Sequence, residues 1–189
     1  MKRAGIFALF LLLAGCGRGA PGVTDITGVM PDLQFSMTRA NDGAAVTAQS
    51  YRGKVVILYF GYTHCPDICP ATLANMANVF KQLGPRANGV RMLFVSVDPN
   101  RDTPALLKSY VSAFAPQIDG LRGTPDQLAR LARRYRVIYS VTPNAGDYEV
   151  MHSSAVFFFD GKGHARFVTT ETDDTSGIAQ GIKRIVSSE

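Results

Sequence analysis

Residues 54–60, KVVILYF, leave a strand no polar face to offer water. Successive side chains on a strand point to opposite sides, so an unbroken apolar run belongs at the centre of a sheet covered on both faces. Residues 90–97, VRMLFVSV, have the same character and predict a second central strand. Between them Leu73, Met76, Ala77 and Phe80 recur at helical spacing, and Gly84-Pro85 stops the helix. Strand, helix, strand in this order restricts the chain to an α/β arrangement.

The remaining segments extend that plan. Residues 33–54, LQFSMTRANDGAAVTAQSYRGK, alternate weakly around Asp42-Gly43, a hairpin turn signal. DTPALLKSYVSAFA reads as a helix opened by Asp102 or Thr103, with Pro104 in its first turn. IDGLRG is a short extended piece. TPDQLARLARRY begins with a Thr-x-x-Gln capping box and carries Leu128, Leu131, Ala132 and Tyr135 as an apolar stripe. VMHSSAVFFFD and HARFVTT, joined through Gly161 and Gly163, read as a β-hairpin, and TSGIAQGIKRIVS as a last amphipathic helix. The expected fold is a mixed central sheet with helices on both faces.

A chain of 189 residues, 46% of them hydrophobic, suits one domain that buries a core without disulfide staples. Its start reads differently. MKR precedes the apolar run IFALFLLL, too short to cross a bilayer, and LAGC sets small residues ahead of Cys16. This is the pattern of a bacterial lipoprotein signal. Residues 1–15 are therefore expected to be a signal peptide. Residues 16–30 would be the lipidated Cys16 with a flexible tether, and 31–189 the folded domain, held on a membrane outside the cytoplasm. Loss of Lys2 and Arg3 lowers the net charge from +5 to +3, and no basic block suggests nucleic acid as a partner.

With Cys16 assigned to the anchor, Cys65 and Cys69 in GYTHCPDICP remain as a pair. Pro70 is pre-set for the first helical position, so Cys69 is expected at a helix start, where the positive end of the helix favours thiolate. Residues four apart at such a junction can approach within the roughly 7 Å between α-carbons that a disulfide needs. A bridge enclosing three residues restrains little chain, which favours a redox couple or a metal site over a static structural disulfide. Three histidines are candidates for a third ligand. His64 adjoins Cys65 and points away from it, and His164 falls in an exposed turn. His152 is expected to begin the last buried strand, as a ligand or as a hydrogen-bonded bystander.

YRGKVVILYFGYTHCPDICPATL, FVSVDPNRDTP, GLRGT and DYEVMHSSAVFFFDGKG, in that order, resemble the Sco/SenC family of copper-binding proteins. The resemblance runs from about residue 31 to the end. It implies a thioredoxin-like fold with an inserted β-hairpin, lipid-anchored on the periplasmic side of the bacterial cytoplasmic membrane. It also implies a part in assembling the copper A centre of cytochrome c oxidase. Cys65, Cys69 and His152 match the family's copper ligands, for one copper per chain as Cu(I), Cu(II) or both. Asp98 matches an acidic residue that supports the site. Met151 stands where members often carry an acidic residue, either as a packing substitution or as a soft thioether near the metal.

Two thiolates and an imidazole suit three-coordinate Cu(I), whereas structural zinc asks for a fourth ligand. The implied protein is a metallochaperone rather than an enzyme, with the copper A subunit and other periplasmic copper carriers as partners. The alternative is a thiol-disulfide oxidoreductase that reduces the cysteines of that subunit. Cys65 and Cys69 would then be its catalytic pair and form a disulfide when oxidised. Three residues between the cysteines, instead of the two of a thioredoxin motif, weigh against it. A peroxide-reducing enzyme or a copper sensor is a third class.

Overall fold

The computed structural model describes residues 23–187, so the leader, Cys16 and the lipid anchor expected there lie outside the described residues. The chain opens with β1 (Thr24–Asp25), the hairpin β2 (Ser36–Arg39) and β3 (Ala45–Thr47), and then β4 (Val55–Gly61). Helix α1 (Ile68–Leu83), β5 (Val90–Ser96), α2 (Pro104–Ser112), β6 (Ile118–Arg122) and α3 (Pro125–Arg134) follow. The last part holds β7 (Tyr139–Asn144), β8 (Asp147–His152), β9 (Val156–Phe159), β10 (Ala165–Thr169) and α4 (Thr175–Ser187).

Eight strands form one sheet in the order β1-β10-β9-β4-β5-β6-β2-β3. Strands β4, β5 and β6 run parallel at its centre, and β9 joins β4 antiparallel. All seven residues of β4 are buried, as their apolar character on both faces demands. The Phe157-Phe158-Phe159 run shows what covers those faces. Tyr135, at the end of α3, packs against Phe157 and Phe159 with ring centroids 5.7 and 5.5 Å away. Phe158 points the other way and stacks on Phe167 at 4.1 Å, with Gly181 of α4 close against the Phe167 ring. Helices on both faces of a mixed sheet complete a thioredoxin-like fold.

Local chemistry fixes the element ends. Gly43 takes φ +76° in the β2–β3 turn, where Asp42 Oδ1 accepts from the Ala44 amide at 3.1 Å. Thr124 and Gln127 close the capping box at the start of α3. Thr103 caps α2 by accepting from the Leu106 amide at 3.2 Å, ahead of Pro104 at the first helical position.

Two expectations change. Strand β1 pairs with β10 and Ile26 is buried, so packed structure begins upstream of residue 31, inside the segment read as a tether. His152 does not begin the buried strand. It ends β8, and the irregular residues 153–155 separate it from β9. Strands β7 and β8 form a two-stranded sheet of their own, with no ladder to the main one. The apolar pattern of VFFF hid that break, because nothing in HSSAVFFF marks where pairing passes from one sheet to the other.

Gly61 closes β4 where the backbone, the Phe94 ring and Cys69 meet. A Cβ there would lie 2.7 Å from the ring and 2.9 Å from Cys69 Sγ. Gly61→Ala is therefore expected to lower unfolding free energy by about 1–3 kcal/mol, the usual scale of overpacking, as measured by denaturant titration.

Candidate metal centre

The loop after β4 brings Cys65 under the start of α1. Asp67 takes the N-cap position, so Cys69 is the second helical residue and Pro70 the third, slightly further in than expected. The Cys69 amide is one of the donors that a helix start leaves without an intrahelical acceptor, and it donates to Cys65 Sγ at 3.4 Å. Cys69 is fully buried, whereas Cys65 keeps 9% of its surface at the mouth of the site. The Tyr59 hydroxyl points at Cys69 Sγ from 3.7 Å.

His152 reaches the cysteines from the end of β8. Its ring stands edge-on to Tyr59 and Tyr62, with centroids 5.9 and 5.8 Å away, which fixes its plane. Its Nδ1 lies 2.9 Å from the Ser153 carbonyl. A carbonyl only accepts, so Nδ1 carries the proton and Nε2 presents its lone pair. That Nε2 lies 3.2 Å from Cys69 Sγ. The ligand atoms of Cys65, Cys69 and His152 all fall within 4.8 Å of one another. The other two histidines are elsewhere: His64 Nδ1 meets Thr63 Oγ1 at 3.1 Å, and His164 Nδ1 meets Asp32 at 2.9 Å.

Burial decides the protonation of Cys69 and His152. It pushes the Cys69 thiol well above its ordinary range, against a Tyr62 backbone hydrogen bond that pulls the other way. The helix start thus does not yield the free thiolate that the sequence suggested, because desolvation of a fully buried sulfur outweighs a partial charge. Burial also lowers the His152 pKa, against the Ser153 carbonyl, and keeps the ring neutral.

Two buried carboxylates support this frame without touching it. Asp98 accepts from Arg101 Nε and from the Tyr148 hydroxyl, the latter at 2.6 Å, and so ties the loop after β5 to the hairpin that carries His152. Asp102 accepts from Thr63 Oγ1 and Ser96 Oγ, each at 2.6 Å, and from the Thr63 amide at 3.2 Å, which pins the cysteine loop. In the sequence Asp102 reads only as a helix opener, and Arg101 and Tyr148 carry no signal of their own. The sole hint was their place in the segments FVSVDPNRDTP and DYEVMH. Met151 is 69% exposed and does not pack, contrary to the packing reading. It lines, with Tyr62, Cys65, Pro66, Ile68 and His152, a cleft of about 370 Å³.

Residues 31–187 match the family model described as SCO1/SenC. The chain is 45% identical over 117 residues to "Protein SCO2 homolog, mitochondrial" of Bos taurus, covering 60% of this chain and 44% of that protein. It is 42% identical over 134 residues to "Protein SCO2, mitochondrial" of Saccharomyces cerevisiae, covering 68% of this chain and 44% of that protein. It thus spans less than half the length of these two curated relatives. Among solved structures it is similar to Bradyrhizobium japonicum ScoI with copper bound, at TM-score 0.73 and 38% identity over 82% of this chain and 98% of that one. Yeast Sco1 with copper bound gives TM-score 0.75 and 34% identity over 84% and 91%. These relatives also correct one expectation. The curated ones, from cattle, yeast, Arabidopsis and human, are mitochondrial proteins, which overturns the lipid-anchored bacterial periplasmic location.

A metal ion that binds thiolate must displace the Cys69 proton. Uptake at the trio is therefore expected to release protons and to weaken as pH falls, about tenfold per pH unit for each thiol proton displaced. No extra inflection is expected near 6.5, since His152 stays neutral below that value. Silver titrations at a series of pH values, with proton release recorded, check both statements.

Proposed function

Because the chain belongs to the SCO1/SenC family, we propose that it is a copper carrier that holds one ion on Cys65, Cys69 and His152 and passes it to the copper A subunit of cytochrome c oxidase. The observation that carries this reading is the lone pair of His152 Nε2, aimed at Cys69 Sγ from 3.2 Å by the Ser153 carbonyl behind it. Two sulfurs and one imidazole form a soft to borderline donor set. Relatives with 34–38% identity hold copper in their solved structures.

The chain's own groups divide the work. Cys69 is the inner donor, on the buried face of the first turn of α1. Cys65, at the mouth of the cleft, is the sulfur that a partner's ligand can meet first. His152 arrives on a separate hairpin, so the third bond to the ion can break without disturbing the sheet. Transfer by exchange of one ligand at a time keeps the ion bound throughout. Asp98 and Asp102 hold the two loops and take no part in coordination.

A second reading rests on the closeness of the two sulfurs. The pair can give two electrons and two protons to a disulfide of the oxidase subunit and close as a Cys65–Cys69 disulfide. Such chemistry has no use for the imidazole, so His152 separates the two roles.

Reduced protein is expected to take up one Cu(I). His152→Ala should weaken binding on the order of a hundredfold, since loss even of an outer-shell partner costs about 10–100-fold. Competition titration against a Cu(I) chelator measures this. Loss of the protein should lower the copper A content of the oxidase, and His152→Ala should fail to restore it. Equal copper affinity in the variant, together with full restoration, would leave the thiol reductase as the better account.

A further inference from the structure

The hairpin that carries His152 needs something to hold it in place. Strands β7 and β8 share no ladder with the eight-stranded sheet, and β7 faces solvent along nearly its whole length. Yet His152 Nε2 must stay within ligand distance of sulfurs on a different part of the fold. The contacts around Tyr148 supply a hold. Its hydroxyl donates to Asp98 Oδ1 at 2.6 Å. One Arg101 guanidinium nitrogen donates to the Tyr148 carbonyl at 3.1 Å and faces the Asp147 carboxylate at 3.4 Å. The guanidinium also lies 4.0 Å from the centroid of the Tyr148 ring. Asp98 is buried and receives both partners, so the cluster joins the hairpin to the loop after β5 through charge-assisted bonds.

We propose that Tyr148 and Arg101 form a latch that sets how long His152 remains over the cysteine sulfurs. Tyr148, Val150 and His152 share the inward face of β8, because side chains alternate along a strand. Four steps along the strand, from Tyr148 to His152, separate the latch from the ring by about 13 Å. Movement of the Tyr148 end away from Asp98 tilts the strand, and the imidazole leaves with it. The sulfurs sit on the loop after β4 and on α1 and do not follow. Tyr148 and Arg101 are thus positioning residues. They touch neither sulfur nor ion, and they act on copper through His152 alone.

The inference rests on the copper-carrier reading, and its test separates the two. The full chain is loaded with Cu(I) and mixed with excess Cu(I) chelator while release is followed. Tyr148→Phe keeps the ring beneath the guanidinium and removes one hydrogen bond to a buried carboxylate. It should speed release about tenfold. Arg101→Lys keeps a positive charge beside Asp98 but loses the fork that grips the Tyr148 carbonyl, and it should speed release as well. On a His152→Ala background neither change should alter the rate, since the latch has no ring left to hold. The reduction potential of the cysteine pair should stay at its wild-type value in Tyr148→Phe. Wild-type release rates in both variants overturn the latch while leaving the carrier intact. Equal acceleration with and without His152 also overturns it, because the effect would then not pass through the imidazole. Failure of the unaltered protein to load copper sinks both readings together.

Discussion

Strand β4 has no face that tolerates water, and the site follows from covering it. One side must receive a helix directly after the strand, so α1 folds back with its first turn over the strand end. That return sets Cys69, on the buried face of the first turn, beside Tyr59 and against Gly61, where a side chain would have left no room. Cys65 stays four residues behind, in the loop before the helix start, with 9% of its surface left open. The inner and outer sulfurs are thus a product of core formation, before any metal is considered. On the β9 side the same sheet ends its pairing at Val156, and the three preceding residues let the chain climb to β8 and His152.

The electrostatics of the trio run opposite to those of a reactive thiol. A nucleophilic cysteine is usually exposed beside positive charge, which lowers its pKa. Here the deeper sulfur is starved of solvent and its thiol form is favoured. The histidine beside it is neutral and already in the tautomer that offers an electron pair to a cation. Cys69 and His152 are thus both uncharged, and thiolate character at Cys69 comes only with loss of its proton to a bound cation. Nearby negative charge is kept on Asp98 and Asp102, each satisfied by its own donors.

Much of the scaffold was legible because it depends on local rules. The double-faced apolar runs gave β4 and β5. Thr124 with Gln127 marked the start of α3, and Asp42-Gly43 the first hairpin turn. The cysteine pair and its place after a core strand could be read directly, and its link to His152 came through the family resemblance. What stayed hidden depends on distant partners. Nothing near His152 shows that a backbone carbonyl one residue on selects its tautomer. Nothing near Tyr148 points to Asp98, fifty residues earlier in the chain. Helix polarity suggested an activated Cys69, and only its depth reverses that expectation. Residues 23–30 looked featureless, because a two-residue strand with one buried isoleucine leaves almost no periodic signal.

The division of labour across β8 has one more consequence. Tyr148, Val150 and His152 face inward, while Asp147, Glu149 and Met151 face out beside the exposed positions of β7. Alternation therefore writes two messages on a single strand. A change of bulk or charge on the outward face, at Asp147, Glu149 or Met151, leaves the inward side chains in place. The surface beside the cleft can therefore be reshaped without moving the imidazole.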